Sequence, residues 1–296
     1  MTPVEDTQPL PRQEKFLLPL TLLLAATLYW TVLPKLVQDW WDDPNFSHGF
    51  LVPLFSAWLI WERRAELRMF TSKGTLLPGI FLVFIGVGML VVGKAGGEYF
   101  TMRSSLVLVT GGVFWIVFGG EGFRLCLFPL AFLFFMVPIP YILYDAISFP
   151  LKMIASWFGE HSLNFVGVPV FREGNIMFLP NLQLEVADAC SGIRSLMSLM
   201  ALATATAYFM AFDIVRGGAL FLAAIPVSIV TNSLRIFMTG VLSYRFGQKA
   251  AEEFFHDISG WVVFLMGAIL VVALGVLFHR KSSNGGAANE AGSSKT

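Results

Sequence analysis

The sequence predicts an all-α polytopic membrane protein, with about eight transmembrane helices and a small extracytoplasmic insertion of an amphipathic helix and a β-hairpin. Three observations lead there. Apolar residues make up 56% of the 296 and charged residues 14%, against roughly 25% charged in a soluble domain. Mean hydropathy is +0.70. Several apolar runs reach the ~20 residues that cross a bilayer. The net charge of zero gives no bulk attraction to nucleic acid. Cys126 and Cys190 alone make no disulfide framework. Metal-ligand spacing and Gly-rich phosphate loops are missing from the pattern, so neither a metal nor a cofactor is expected.

Residues 1–15 read as a polar tail rich in Pro and charge, ahead of a membrane domain over 16–281. Phe16–Leu33 is the first span, with Tyr29 and Trp30 as interface anchors. Phe50–Trp61 is short and makes a second span only if His48 and Gly49 join it. Leu76–Gly93 and Ser104–Gly119 form the next pair, each with several Gly that allow close helix approach. Leu125–Pro140 is the fifth. Residues 141–189 then form the insertion. Tyr141–Phe165 is amphipathic and is expected to lie on the membrane surface or pack over the bundle. Val168–Val186 reads as short strands, chiefly Ile176–Leu179 and Leu182–Val186, with turns at Glu173–Asn175 and Pro180–Asn181. Open strands cannot sit in hydrocarbon. Ser191–Phe212, Ala219–Tyr244 and Ile258–Phe278 complete the eight, and residues 282–296 form a Gly/Ser-rich tail.

Eight spans place both termini on one side. Arg12, Lys15, the basic loop Arg63–Lys73, Arg124, Arg216, Arg280 and Lys281 then fall inside, as a cytoplasmic face requires. Lys94, Arg103, Arg245 and Lys249 fall on the other side and weaken the bias. Cys190, Arg235, His256 and His48 all share that outer side.

The chemistry-bearing stretch is Ala187–Leu196, where a strand-like segment runs into an apolar helix. Asp188 is the expected N-cap, which puts Cys190 in the first helical turn beside unpaired N–H groups and favours a thiolate. Arg194, four residues on, would share its helix face and add a positive charge. Gly192 clears space for a substrate backbone, and the N–H groups around Ser191–Ile193 can meet an oxyanion. Asn232 and Arg235, three apart, share a face of the seventh helix. His256 opens the eighth and can serve as acid and base. Taken singly, Cys190 also fits a small apolar residue, Arg235 a snorkelling cation and His256 a solvated loop residue. Together they make the set that thiol acyl transfer asks for, and intramembrane Arg and Asn are expensive to keep.

These residues carry a resemblance. Ala189–Leu196 (ACSGIRSL), Asn232–Ile236 (NSLRI), His256 and Ser47–Pro53 (SHGFLVP) resemble the exosortases and archaeosortases, over about Phe16–Phe278. The resemblance implies a multi-span sorting enzyme of the bacterial inner membrane. It implies catalysis by Cys190, Arg235 and His256 on the periplasmic or outer face. His256 is an Arg in the archaeal branch, so it points to the bacterial one. Val186–Asp188 is less acidic than the family pattern, and no extra C-terminal domain follows, which leaves the subfamily open.

The implied partners are membrane-anchored proteins with a C-terminal sorting signal of the PEP-CTERM type, and the lipid bilayer itself. Such a signal joins a short Pro-Glu-Pro-like motif to an apolar helix and a basic tail. Arg194 then either pairs with an acidic residue of that motif or lowers the Cys190 pKa, and His48 assists binding without doing chemistry. The rival readings are a multi-span transporter and a non-catalytic scaffold of an exopolysaccharide assembly system.

Overall fold

A computed structural model describes residues 27–70, 75–180, 182–186, 192–247 and 260–280. The chain forms two compact units, Met1–Pro140 and Tyr141–Thr296, each with its own apolar clusters. Among the described residues four helices are long and apolar enough to cross a membrane: Leu77–Gly96, Tyr99–Leu125, Ile214–Phe246 and Gly260–Arg280. A fifth span requires Leu127–Met136 and Tyr141–Phe165 to be joined. The protein is an all-α membrane protein carrying one small sheet.

In the first unit, helix α1 (Val32–Asp42) is amphipathic. It buries Val32, Leu36 and Trp40 at helical spacing and exposes Val37 and Trp41. The Asp43 carboxylate accepts the Asn45 N–H at 2.9 Å and opens a 3-10 turn over Pro44–Phe50. Helix α2 (Leu51–Glu62) has 12 residues. That is about 18 Å of helix, too short for a ~30 Å hydrocarbon core. The span expected on Phe50–Trp61 is therefore a short helix. Most of the first expected span, Phe16–Leu33, lies outside the described residues.

Helices α3 (Leu77–Gly96) and α4 (Tyr99–Leu125) are an antiparallel pair closed by a tight turn. Gly97, at φ +65°, ends α3, and the Glu98 carboxylate caps α4 by accepting the N–H groups of Phe100 and Thr101. The expected glycines are the contact. A Cβ at Gly79, Gly86 or Gly93 would stand 2.8, 2.6 or 2.8 Å from Ile116, Val109 or Met102. The fourth span was expected to stop at Gly119. The chain instead breaks helical geometry there, at φ +70°, and resumes as helix to Leu125. Arg103 is buried on α4 and pairs with Asp39 of α1 at 2.5 Å. Helix α5 (Leu127–Phe132) and a 3-10 turn (Leu133–Met136) end the unit.

In the second unit, helix α6 (Tyr141–Phe165) buries one face, including Ala155, Gly159 and Leu163. That face packs on helix α8 (Ile214–Phe246): Gly159 meets Ile236, and Gly240 meets Leu163. The segment expected to lie on the membrane surface or pack over the bundle is a 25-residue helix packed on α8. The strands are β1 (Phe171–Glu173), β2 (Ile176–Leu179) and β3 (Leu182–Glu185), antiparallel in the order β1-β2-β3. Phe171 lies opposite Phe178, which lies opposite Gln183; Met177 lies opposite Leu184. Met177, Leu179 and Val186 share a buried cluster with Leu163 and Ile236. Arg172 pairs with Glu160 of α6 at 3.0 Å.

Helix α7 (Ile193–Phe209) has 17 residues, about 26 Å and slightly less than a core thickness. Helix α8 has 33 residues. Its start is capped by the Asp213 carboxylate on the Arg216 N–H at 2.9 Å. Helix α9 (Gly260–Arg280) joins α7 and α8 through Leu199, Ala203, Leu220, Ala224 and Val271.

Candidate active site

The site grows from Gly192. Its backbone is left-handed, φ +81° and ψ −4°, and it stands at the N-cap of α7. A side chain would be strained there by its own backbone. It would also be crowded, since a Cβ would lie 3.1 Å from Cβ, Cγ and Nδ2 of Asn232 on α8. The Gly192 carbonyl is held from two helices. It accepts the Leu196 N–H at 2.9 Å and the Ser195 hydroxyl at 2.9 Å within α7, and the Ser228 hydroxyl of α8 at 3.1 Å. The two hydroxyl oxygens are 3.3 Å apart. Ser228 and Asn232 are each 2% exposed and sit one turn apart on one face of α8. Arg235, half-buried, follows three residues later, where the same face continues.

The other flank of the motif is fixed too. The Val186 N–H donates to the Asn175 carbonyl at 2.9 Å, and Asn175 Nδ2 donates back to the Val186 carbonyl at 3.1 Å. Val186 is buried in the cluster that contains Ile236, the residue after Arg235. Both ends of the stretch 187–191 are therefore seated in the second unit, one against Asn232 and the other in the Ile236 cluster.

Of the expected site residues, the structure brings Gly192 and Asn232 into contact and puts Arg235 one turn along. Arg194 is half-buried in the first turn of α7. Cys190, Ser191 and His256 lie outside the described residues, as does Asp188. Two expectations about the motif are corrected. The helix is capped by Gly192, not Asp188, because a left-handed residue cannot continue a right-handed helix. The second concerns the first helical turn, where Cys190 was expected: α7 starts at Ile193, so the helix that carries Arg194 begins after Cys190 in the chain.

His48 belongs to the first unit. Its Nε2 lies 3.2 Å from the Phe135 carbonyl, so Nε2 carries the proton. Burial holds this imidazole below its ordinary pKa, against a smaller opposing effect of the Phe135 and Asn45 carbonyls. Beside it, a Cβ on Gly49 would lie 2.3 Å from the Trp40 ring nitrogen, and that indole donates to the Met136 carbonyl at 2.8 Å. The SHGFLVP stretch thus ties the 3-10 turn to the end of its own unit. Cys126 is fully buried there.

Ser195, Ser228 and Asn175 were missed in the sequence. Ser228 had a signal: it lies four residues before Asn232, so both polar groups fall on one face of an apolar helix. Among the described residues no group of three His, Cys, Asp or Glu is arranged to hold a metal ion.

The chain matches the family model of the transmembrane exosortases over residues 40–273. No curated protein and no solved structure matches it.

Proposed function

The chain belongs to the transmembrane exosortase family, and from that premise we propose that it is a membrane-embedded cysteine transpeptidase or protease that cleaves C-terminal sorting signals of the PEP-CTERM type. The observation that carries the proposal is the seating of Val186 and Gly192 around Arg235. Gly192 presses on Asn232, and Val186 shares a cluster with Ile236. Cys190 is two peptide units from Gly192, a covalent reach of at most about 7.6 Å. The Cys motif and the α8 residues Asn232 and Arg235 thus have the means to act on one substrate carbonyl.

In this mechanism the Cys190 thiolate attacks the scissile carbonyl carbon. The oxyanion is met by Arg235 and by backbone N–H groups at the start of α7, whose partial positive charge suits it. The tetrahedral adduct collapses to a thioester, the C–N bond breaks, and His256 gives its proton to the leaving amine. His256 then takes a proton from the incoming water or amine, which attacks the thioester and releases Cys190 as thiolate. Asn232 holds a peptide carbonyl. Arg194 acts on an acidic residue of the sorting motif or on the thiol's acidity.

The setting we infer is the bacterial inner membrane, crossed several times by residues 16–281, with both termini cytoplasmic. Residues 141–189 and the catalytic groups face outward. The sheet supports that placement, since its unpaired strand edges would be costly in hydrocarbon. The test is Cys190→Ala. Processing of a sorting-signal protein should stop while the enzyme stays in the membrane. Continued processing would return the chain to the transporter and scaffold readings.

A further inference from the structure

Strand β3 is an edge strand that precedes the Cys motif in the sequence, and its backbone pattern shows which groups it leaves open. The Val186 N–H bonds to the Asn175 carbonyl, and antiparallel ladder bonds recur at every second residue. Leu184 and Leu182, opposite Met177 and Leu179, therefore turn their N–H and C=O groups toward β2. Gln183 and Glu185 turn theirs the other way. Both are exposed, and neither makes a backbone hydrogen bond outside the sheet among the described residues. Two donors and two acceptors thus stand along the outer side of β3 in strand spacing. On the adjoining outer face Phe171 and Phe178 stack at 6.2 Å, with Phe171 65% exposed.

We propose that the open edge of β3 is the docking edge for the substrate: an extended peptide segment beside the sorting motif pairs with Gln183 and Glu185 as a fourth strand and is carried along β3 to Cys190. The inference rests on Cys190 being the nucleophile. Three points fix the occupant as an extended peptide. The open groups are backbone groups at strand spacing, which only another strand satisfies in register. Glu185 is five residues before Cys190, a covalent reach of at most about 18 Å, so a strand paired there is within reach of the nucleophile. A peptide must also be extended at the scissile bond for its carbonyl to be reached.

A second copy of the chain is a poorer occupant. Pairing along four residues falls far short of the roughly 1,200 Å² that stable association buries. The same short edge suits a substrate already tethered in the membrane, where high effective concentration replaces a large interface. Specificity then divides in two. Sequence is read near Arg194, Asn232 and Arg235, while β3 reads only that the flanking chain is extended and unfolded.

The experiment uses the full chain in proteoliposomes and a labelled synthetic peptide with a Pro-Glu-Pro motif, an apolar helix and a basic tail. Both its Kd and its cleavage are measured. Gln183→Pro removes an N–H that points away from β2, a position where an edge strand tolerates Pro. It should raise Kd and KM about fivefold or more, with kcat changed far less. Backbone N-methylation of the peptide ahead of its motif should cost the wild type a similar factor, and the two penalties should combine less than additively. Leu184→Pro, whose N–H points into β2, reports what loss of the sheet itself looks like. An unchanged Kd for Gln183→Pro, beside a wild type that binds, overturns the proposal. So does a fall in apparent mass with no change in Kd, which would give the edge to a second copy. A raised Kd with no cleavage by any variant would keep the docking edge and remove the enzymatic reading.

Discussion

Two helix pairs, one in each unit, close by different means. In the first, α3 and α4 close on glycines, with Gly79, Gly86 and Gly93 meeting side chains of the partner helix. The gain is van der Waals contact, and nothing there has to be oriented. In the second, α7 and α8 close on a polar cluster, in which Ser195, Ser228 and Asn232 surround a single left-handed glycine. Hydroxyls in an apolar helix pair cost more than they return unless a backbone group must be held in one place. The difference teaches where this protein needs precision. It lies at the start of α7, two residues from Cys190.

That contrast can be broken by substitution. The largest effect is expected at Gly192→Ala, which meets both an unfavourable φ and Asn232 at 3.1 Å. Turnover should fall by about a hundredfold, from roughly 2–3 kcal/mol of strain and displacement, with membrane levels preserved. Gly86→Ala is the matched control in the first unit, where a Cβ stands 2.6 Å from Val109. It should lower stability in detergent by about 1–3 kcal/mol and leave turnover per folded molecule as it was. If Gly86→Ala abolishes turnover as fully as Gly192→Ala does, the two interfaces do not differ in kind.

Ser228→Ala should have a smaller effect. It removes one buried hydrogen bond to the Gly192 carbonyl and leaves those of Ser195 and Leu196. A several-fold loss of kcat is expected, about 1 kcal/mol, and Ser195→Ala added to it should cost more than either alone. Equal turnover in the wild type and the double variant would make the cluster mere packing.

The smallest effect concerns pH and the first unit. His48 precedes α2 and lies outside the four described helices long and apolar enough to cross a membrane, and burial keeps its folded pKa below the unfolded ~6.5. The unfolded chain therefore binds the proton first. This residue's contribution to stability is complete above about pH 6.5 and is lost as pH falls through that value toward the folded pKa. His48→Gln should flatten the acid limb of a thermal-unfolding series. Stability that rises on acidification through the same window would show a His48 that gains its proton on folding.

Much of this was legible in the sequence because it depends on composition and spacing. The glycines of α3 and α4, both strand segments of the β2–β3 hairpin and the apolar length of α9 followed from residue type alone. The cap of α7 did not. Asp188 has the right side chain for a cap, but the helix starts after Gly192, whose left-handed backbone and closeness to Asn232 are tertiary facts. Span lengths also misled. The run Phe50–Trp61 makes a span only if His48 and Gly49 join it, and they lie instead in the 3-10 turn Pro44–Phe50 ahead of α2. Ser228 shows the third kind of failure. Thr231 and Ser233 on the same helix bond back to carbonyls one turn earlier, as hydroxyls in apolar helices usually do. Only the tertiary contact shows that Ser228 reaches across to Gly192 instead.

The central claim is that Cys190 forms the acyl-enzyme beside Arg235. The direct measurement is mass analysis of the full chain in proteoliposomes, acid-quenched during turnover of a sorting-signal peptide and then digested. A hydroxylamine-labile adduct of the peptide's acyl portion on Cys190, accumulating in His256→Ala and lost in Cys190→Ala, is the predicted result. Product released at the wild-type rate from Cys190→Ala, with no adduct on that residue in any variant, would contradict it.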